Sequence, residues 1–456
     1  MSPVLPLLFA WPAAVILALL DSRRRWVAWL AVAALAVVFA AALALLVDVL
    51  GNGPRTTVAG GWPDGVGIVL SADALGATFA VVSVGVVLVA VLFEVIGGTE
   101  SRSFGALALF LATGLCGLFL TGDVFNFYVF FELSMIAAYA LTTYGEGARQ
   151  LRAGFIFAVV NLLGSFIFLI GVAGLYRVTG TLTMDLVAQR IAAVDPGATV
   201  PIAVALLVAF LVKLGLFPFH FWLPTVYASA RPAVAAILGG ALANIGAYGL
   251  LRFGADILPG ALRAGAPVLL VLGVASLLYG SLQAVARRSA PEVLAYSSIG
   301  QVGYVIVALA IGGPIGYAAA ILYAVVNSLN KALLFLASEL RGWLVGFAFV
   351  VGALSVAGVP PAAGFLGKLE VFRAGVEQGA LLLSLLVLGS ALSFVYMFQI
   401  YQHDFWRDAR SAQVSRRAVG AVTASLGLVI VALGIWPEPL LAVSRRAAAA
   451  LTGADG

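Results

Sequence analysis

Residues 202–224 read IAVALLVAFLVKLGLFPFHFWLP. An apolar run leads to Lys213, and Gly215, Pro218, His220, Trp222 and Pro224 follow directly. A lysine in the middle of a membrane helix costs roughly 2.5–3.5 kcal/mol on insertion scales. Pro218 lacks an N–H and its ring clashes with the preceding turn, so the stretch predicts a membrane helix broken at Pro218. A charge beside a broken membrane helix marks an ion pathway. The same arrangement returns in residues 358–372, GVPPAAGFLGKLEVF, where Pro360, Pro361 and several glycines precede Lys368.

Working outward, the whole chain has the composition of these stretches. Of its 456 residues 63% are hydrophobic and 10% charged, and the mean hydropathy is +1.12. Repeated runs of about 18 or more apolar residues read as membrane helices, so the fold class is an all-α polytopic membrane protein. The net charge of +5 does not point to nucleic acid, because the basic residues are spread over short loops, as membrane topology requires. The lone Cys116 allows no internal disulfide or cysteine cluster, and two scattered histidines, His220 and His403, suggest no metal site. No Walker loop, dinucleotide fingerprint, quinone-specific pattern or iron–sulphur cysteine set is present, so no cofactor is expected. The opening MSPVLPLLFAWPAAVILALLDSRRR reads as a first membrane helix rather than a secretory signal, because its positive charges follow the apolar run.

The pattern predicts fourteen membrane helices, with long loops at 51–70, 178–198 and 403–417 and a short interfacial helix over 184–195. Four parts follow: helices one to three over 1–103, a five-helix unit over 104–255, a second over 256–403, and the last helix and tail over 404–456. The seventh and twelfth helices are both long, proline-interrupted and lysine-bearing, and they lie five helices apart. Five is odd, so the two five-helix units are expected to be inverted relative to each other, as in ion-translocating folds. With the N-terminus outside, the cytoplasmic loops hold Arg23, Arg24, Arg25, Arg102, Arg149, Arg152, Arg231, Arg287, Arg288, Arg341, Arg407, Arg410, Arg416 and Arg417, fourteen arginines against eight. An even helix count then places both termini outside the cytoplasm.

Of 25 basic residues only Lys213, Lys331 and Lys368 are lysine, and all three sit inside or at the edge of apolar segments. A desolvated lysine can give up its proton near neutral pH, whereas arginine stays charged, so lysine is the cation suited to a proton relay. Glu132, flanked by apolar and aromatic residues, is the carboxylate expected to pair with Lys213; the rival is an ion pair that merely locks two helices. Asn327 four residues before Lys331 and Glu339 eight after it are expected to share its helix face, either as a wetted path or as interhelical glue. His220, just past the break, is a further candidate for passing protons. His403, Glu94, Glu146 and Glu370 read as local or helix-end charges, and Asp123 as a helix N-cap.

Residues 121–141 (TGDVFNFYVFFELSMIAAYAL), 149–184, 211–224 (LVKLGLFPFHFWLP), 330–336 (NKALLFL) and 358–372 together resemble the antiporter-like proton-translocating subunits. These occur in respiratory complex I, membrane-bound hydrogenases and the Mrp multisubunit sodium/proton antiporters. The wording around Glu132 and the TGTLTM stretch is most similar to the D-type Mrp subunits. The resemblance covers roughly residues 60–435 and implies fourteen helices with two inverted five-helix units. It also implies a Glu132–Lys213 pair, the family's KALLFL lysine at Lys331, an exit-side lysine at Lys368, and work beside other antiporter subunits. Three features depart from it. Asn244 stands where the family commonly has a lysine, and Asn327 where it often has a histidine; an asparagine cannot hold a proton at neutral pH. The connector after Glu339 is short. The central link would then run through water, Lys331 or His220.

The expected function is proton translocation through a buried Glu/Lys relay, as a non-enzymatic subunit of a sodium/proton antiporter in a bacterial inner membrane. The transported ions would be protons and Na+, and the surroundings the lipid bilayer. The rivals are a proton-pumping subunit of a complex I-like oxidoreductase or hydrogenase, a partner in a bicarbonate-uptake complex, and a structural subunit whose relay has decayed.

Overall fold

A computed structural model describes residues 1–62, 67–145, 147–407 and 417–452. Glu146, Arg410 and Arg416, three of the charges assigned above to loops or helix ends, lie outside the described residues. In chain order the described elements begin with α1 Leu5–Ala18, α2 Arg25–Asn52, β1 Arg55–Val58, β2 Val69–Ala72, α3 Ala74–Gly97, α4 Phe104–Phe119, α5 Val124–Thr142, α6 Ala148–Thr179 and α7 Met184–Ile191. They continue with α8 Pro196–Leu214, α9 Leu223–Tyr227 and α10 Pro232–Ile257. Then come α11 Pro259–Val285, α12 Ala290–Ile311, α13 Gly313–Ala337, α14 Trp343–Ala357, α15 Gly364–Val376, α16 Ala380–Tyr401, α17 Arg417–Ile435 and α18 Glu438–Thr452. Eleven described helical spans are long and apolar enough to cross a membrane, and α1, α4 and α14 are shorter apolar helices. Together they reproduce the fourteen expected crossings, with α8–α9 as the seventh and α14–α15 as the twelfth. A short helix does form in the stretch 184–195, as α7, and it ends at Ile191.

Two elements lie beyond the sequence reading. The stretch expected as loop 51–70 forms, with the two residues after it, the antiparallel pair β1–β2, registered Arg55 to Ala72 and Val58 to Val69. This pair is anchored to the α4–α5 connection by Gly122 N to Val69 O at 2.9 Å, and the start of α5 is tied in turn to the α6–α7 connection by Val124 N to Leu182 O at 2.8 Å. The second is α18, which turns Ser444, Ala447, Ala448 and Leu451 inward onto α13 and α3. Small residues at that spacing form a smooth face against which a helix packs closely.

Helices α10, α12 and α13 form a nearly enclosed spine, while α2, α6, α11 and α16 present apolar side chains outward. Trp26, Phe155, Phe166, Val271 and Leu381 are all exposed, as a lipid-facing surface requires. Close backbone approach holds the spine. A Cβ on Gly240 would stand 2.8 Å from Ser328 O, and one on Gly249 would stand 2.2 Å from the Phe210 ring. Within α10, residues Ile237–Leu242 and Leu250–Ile257 are π-helical, a widened geometry that recurs at functional sites.

The two interrupted helices share a design. Both α8 and α14 end on a left-handed glycine, Gly215 at φ +64° and Gly358 at φ +78°, and each break carries a cis X–Pro bond, Phe217–Pro218 and Pro360–Pro361. The first break thus begins at Gly215 rather than at Pro218. A residue without a Cβ enters the left-handed region freely, so glycine ends the helix before proline would have to.

Near the β1–β2 end, Arg252 of α10 bridges Asp73 at 2.5 Å and Asp256 at 2.8 Å, largely enclosed. Asp73 also caps α3 by accepting from Gly76 N at 2.7 Å. Asp73→Ala removes both roles, and we expect it to lower stability by about 3 kcal/mol. Asp73→Asn keeps a capping oxygen and should fall between the two. Thermal unfolding of the assembled protein checks the order.

Candidate functional site

The first part of the site lies where α5, α6 and α8 meet. Lys213 occupies the last turn of α8 and is 7% exposed. Its Nζ donates to the Asn161 carbonyl at 3.4 Å and lies 4.1 Å from the centre of the Phe131 ring. Trp222 folds back across the break and donates its indole N–H at 3.1 Å to Val212 O, a helix-end carbonyl that also accepts from Gly215 N at 3.1 Å. Glu132 follows Phe131 on α5, but it is not in ion-pair contact with Lys213, and its Oε1 is buried without a partner. The Tyr139 hydroxyl, seven residues on and so on the same face, and Asn161 Oδ1 are likewise buried and unpaired. Such orphaned atoms are uncommon in folded proteins and call for a functional explanation.

Toward the hairpin end this interface is closed by aromatic side chains. The Phe127 ring lies 5.5 Å from Phe168, 5.9 Å from Phe210 and 5.0 Å from Phe253, and Tyr248 packs at 5.0 Å from Phe119. Toward the opposite end Glu94 is buried, not a free helix-end charge as read from sequence, and it bonds the Tyr144 hydroxyl. Burial, and then the Glu94 carboxylate, push the Tyr144 phenol up from its ordinary value. Arg231 lies over the Tyr144 ring and pairs with Glu100.

Between the two halves stands α10. Asn244 donates to Ser83 Oγ at 2.9 Å, Gly240 O at 3.1 Å and Ser328 Oγ at 3.1 Å. It therefore ties α3, α10 and α13 together, and Ser328 is three residues before Lys331. Lys331 is fully enclosed, with Nζ 2.8 Å from Ser297 Oγ and 3.5 Å from Leu294 O. No carboxylate pairs with it among the described residues.

From Lys331 a hydrogen-bonded network continues across α12 and α16. Ser297 Oγ meets Tyr396 Oη at 3.0 Å, and Gln301 Nε2 donates to Tyr396 Oη at 2.9 Å and Ser393 Oγ at 3.1 Å. Tyr323 bonds the Gln301 carbonyl, and its ring lies 5.2 Å from Tyr304. Lys368 Nζ stands 4.8 Å from the Tyr304 ring and donates to Ser390 Oγ at 3.1 Å. Ser390 in turn donates to Ala357 O at 2.8 Å, a carbonyl at the broken end of α14. Lys368 is 1% exposed, and its stem packs so closely on the break that a Cβ on Gly358 would stand 2.7 Å from Lys368 Cδ.

The structure thus places Lys331 at one end of a hydrogen-bonded network that reaches Tyr323, sets Lys368 beyond it across the Tyr304 ring, and brings Lys213 and Glu132 to one interface. The secondary candidates fare differently. His220 is half-buried, stacked on Phe217 and tilted against Tyr279 with ring centres at 5.4 and 4.5 Å, and its Nδ1 has no partner. Asn327 is half-buried. Glu339 does not share the face of Lys331: α13 stops at Ala337, and Glu339 lies exposed in the following turn. Asp123 caps α5 through Asn126 N at 2.7 Å, and Glu370 pairs locally with Arg373.

Gln301, Tyr323, Ser390, Ser393 and Tyr396 were not singled out by the sequence reading. Their signal is periodic: Ser297, Gln301 and Tyr304 on α12, and Ser390, Ser393 and Tyr396 on α16, recur at helical spacing in apolar segments. Tyr396→Phe removes the hydroxyl joining Ser297 to Gln301. We expect proton flux through the assembled complex to fall about tenfold, the equivalent of 1.4 kcal/mol on the barrier, with assembly intact.

Residues 121–342 and 343–393 match the family described as NADH:quinone oxidoreductase/Mrp antiporter, TM. The D-type subunit of the Na(+)/H(+) antiporter of Bacillus subtilis (strain 168) is 32% identical over 430 residues, 89% of this chain and 87% of that protein. A chain of the Mrp complex from Dietzia sp. DQ12-45-1b superposes with a TM-score of 0.89 at 29% identity, covering 98% of this chain and 97% of that one. A chain of the membrane-bound sulfane sulfur reductase, an archaeal respiratory membrane complex, superposes with a TM-score of 0.90 at 25% identity over 98% and 96%.

Proposed function

Because the chain belongs to the NADH:quinone oxidoreductase/Mrp antiporter membrane family, we propose that it translocates protons as a subunit of a multisubunit monovalent-cation/proton antiporter. It is a multi-pass membrane protein and a transporter component rather than an enzyme. In our reading it sits in a bacterial inner membrane with both termini outside the cytoplasm, beside other antiporter subunits, and it serves Na+ exchange. The arginine distribution supports that orientation. Residues 104–255 and 256–403 are read as the two inverted units, supported by their matched helix breaks.

One observation carries the proposal: three lysines are buried inside the helix bundle without a carboxylate in contact among the described residues. Such groups are costly, so a protein keeps them for function. In this mechanism Glu132 and Lys213 exchange the first proton. Their separation in this structure leaves the lysine held only by a carbonyl and a ring, and closing the pair would stabilise its charge. Charge arriving at one lysine repels charge on the next, and that repulsion is strong where the surroundings are poorly polarisable. Lys331 and Lys368 then carry the proton through the second half. Asn244 positions the segment before Lys331 but does not hold a proton.

Everted vesicles containing the whole complex test this. A sodium pulse should shift internal pH in wild type, and Glu132→Gln, assembled at normal levels, should cut that shift to about a tenth or less. Unchanged flux would make Glu132 structural. The likeness to a respiratory complex sets the second arm: acidification driven by an electron donor, with no sodium response, would favour the redox-pump reading.

A further inference from the structure

At the arginine-rich face a cavity of about 620 Å³ opens between the start of α6, the α9 turn and the α11–α12 connection. Arg149, Arg152 and Arg287 line it, against the single carboxylate of Glu292. Arg149 is fixed by Ala228 O at 2.8 Å and Ser229 Oγ at 3.1 Å. Arg287 lies 4.8 Å over the Tyr296 ring and donates through Nη2 to Gln283 Oε1 at 2.8 Å, while its Nε is buried with no acceptor. The first turn of α6 also lines the cavity, and its N-cap, Gly147, provides no side-chain cap. Guanidinium forks and open helix N–H groups are the two standard partners of a phosphate oxygen.

The cavity lies at the ends of membrane helices, and the segments that line it carry outward-facing apolar side chains a few residues away in sequence. Leu151 and Phe155 on α6, Phe221 at the break and Leu282 on α11 are 53%, 71%, 63% and 56% exposed. A soluble anion would make no use of that apolar border, whereas a phospholipid uses both parts. We propose that this cavity binds the phosphodiester head group of an anionic glycerophospholipid, with its acyl chains along Leu151, Phe155, Phe221 and Leu282. The proposal rests on the membrane reading and is independent of the relay. Basic pockets at the membrane boundary recognise anionic lipid in this way.

The test uses the whole complex, stripped of lipid in a neutral detergent and titrated with phosphatidylglycerol while its thermal midpoint is followed. The proposal expects saturable stabilisation that needs about tenfold more lipid in the double variant Arg152→Gln/Arg287→Gln. The control Arg102→Gln/Arg288→Gln, which removes the same charge outside the cavity, should titrate like wild type. Equal loss in both variants would reduce the effect to bulk charge and overturn the site. Equal stabilisation by phosphatidylcholine, or by inorganic phosphate, would overturn the anionic-lipid assignment. Cross-linking that places an acidic segment of a neighbouring subunit in the cavity would replace the lipid by a protein partner.

Discussion

Lys331→Met is expected to abolish sodium-driven proton flux and, at the same time, to stabilise the protein. Lys331 is fully enclosed, and its Nζ has two oxygen partners, Ser297 Oγ and Leu294 O, with no carboxylate among the described residues. Burying an amine or ammonium there is unfavourable, and two neutral acceptors offset only part of that cost. Methionine keeps the length and flexibility of the stem without the charge. The Ser297 hydroxyl is not orphaned by the change, because Tyr396 Oη remains 3.0 Å away. Thermal unfolding should therefore show a gain of about 1–2 kcal/mol, as when buried ionic groups give way to apolar ones of like volume. Flux should fall roughly a hundredfold, the scale of losing a positioned proton-transfer group. If Lys331 merely glues α12 to α13, both signs reverse: stability drops and flux persists.

The same opposition explains what the sequence reveals. Intramembrane lysines are legible because each violates the surrounding composition, and Lys213, Lys331 and Lys368 indeed all end up buried. The breaks are legible from Gly215, Pro218, Gly358, Pro360 and Pro361, although glycine rather than proline sets where α8 stops. Partnerships are less so. Glu132 and Lys213 converge without an ion pair, a matter of rotamers and helix rotation that spacing does not encode. Counting residues puts Glu339 on the helix face of Lys331, but α13 ends two residues earlier. Glu94 resembles a helix-end charge until the fold brings Tyr144, fifty residues away, onto its carboxylate. The serine, glutamine and tyrosine stripes of α12 and α16 violate no composition rule individually, and they acquire meaning only when the two helices face each other.

The two halves also differ in how their polar groups are satisfied. Around Lys213 three side-chain atoms, on Glu132, Tyr139 and Asn161, lack partners, whereas Lys331, Ser297, Tyr396, Gln301 and Tyr323 bond one another directly. Unsatisfied polar atoms lower the cost of rearrangement, and satisfied ones raise it. In the proposed mechanism the first interface is the part that alternates between an open and a closed Glu132–Lys213 pair, and the second passes the consequence along fixed geometry.

That fixed geometry makes Gly364→Ala the second large effect. Gly364 opens α15, and its N–H donates to Ser355 Oγ at 2.9 Å. A Cβ there would stand 1.8 Å from Ser355 O and 2.5 Å from Ser355 C, both backbone atoms at the end of α14. Neither can rotate aside, so the start of α15 must move away from α14. It is held from the other side as well, because α17 packs so tightly that a Cβ on Gly434 would meet Pro361 O at 2.0 Å. Lys368 lies one turn beyond Gly364, so the displacement pulls Nζ from Ser390. We expect a loss of roughly 3 kcal/mol or more in stability, with flux reduced to background in whatever complex assembles. Gly97→Ala is the matched control: a Cβ there meets nothing within 4 Å, and stability and flux should stay at wild-type levels. Were Gly364→Ala to assemble normally and conduct, the seat of Lys368 at the break would have no part in proton movement, and the exit would have to lie elsewhere.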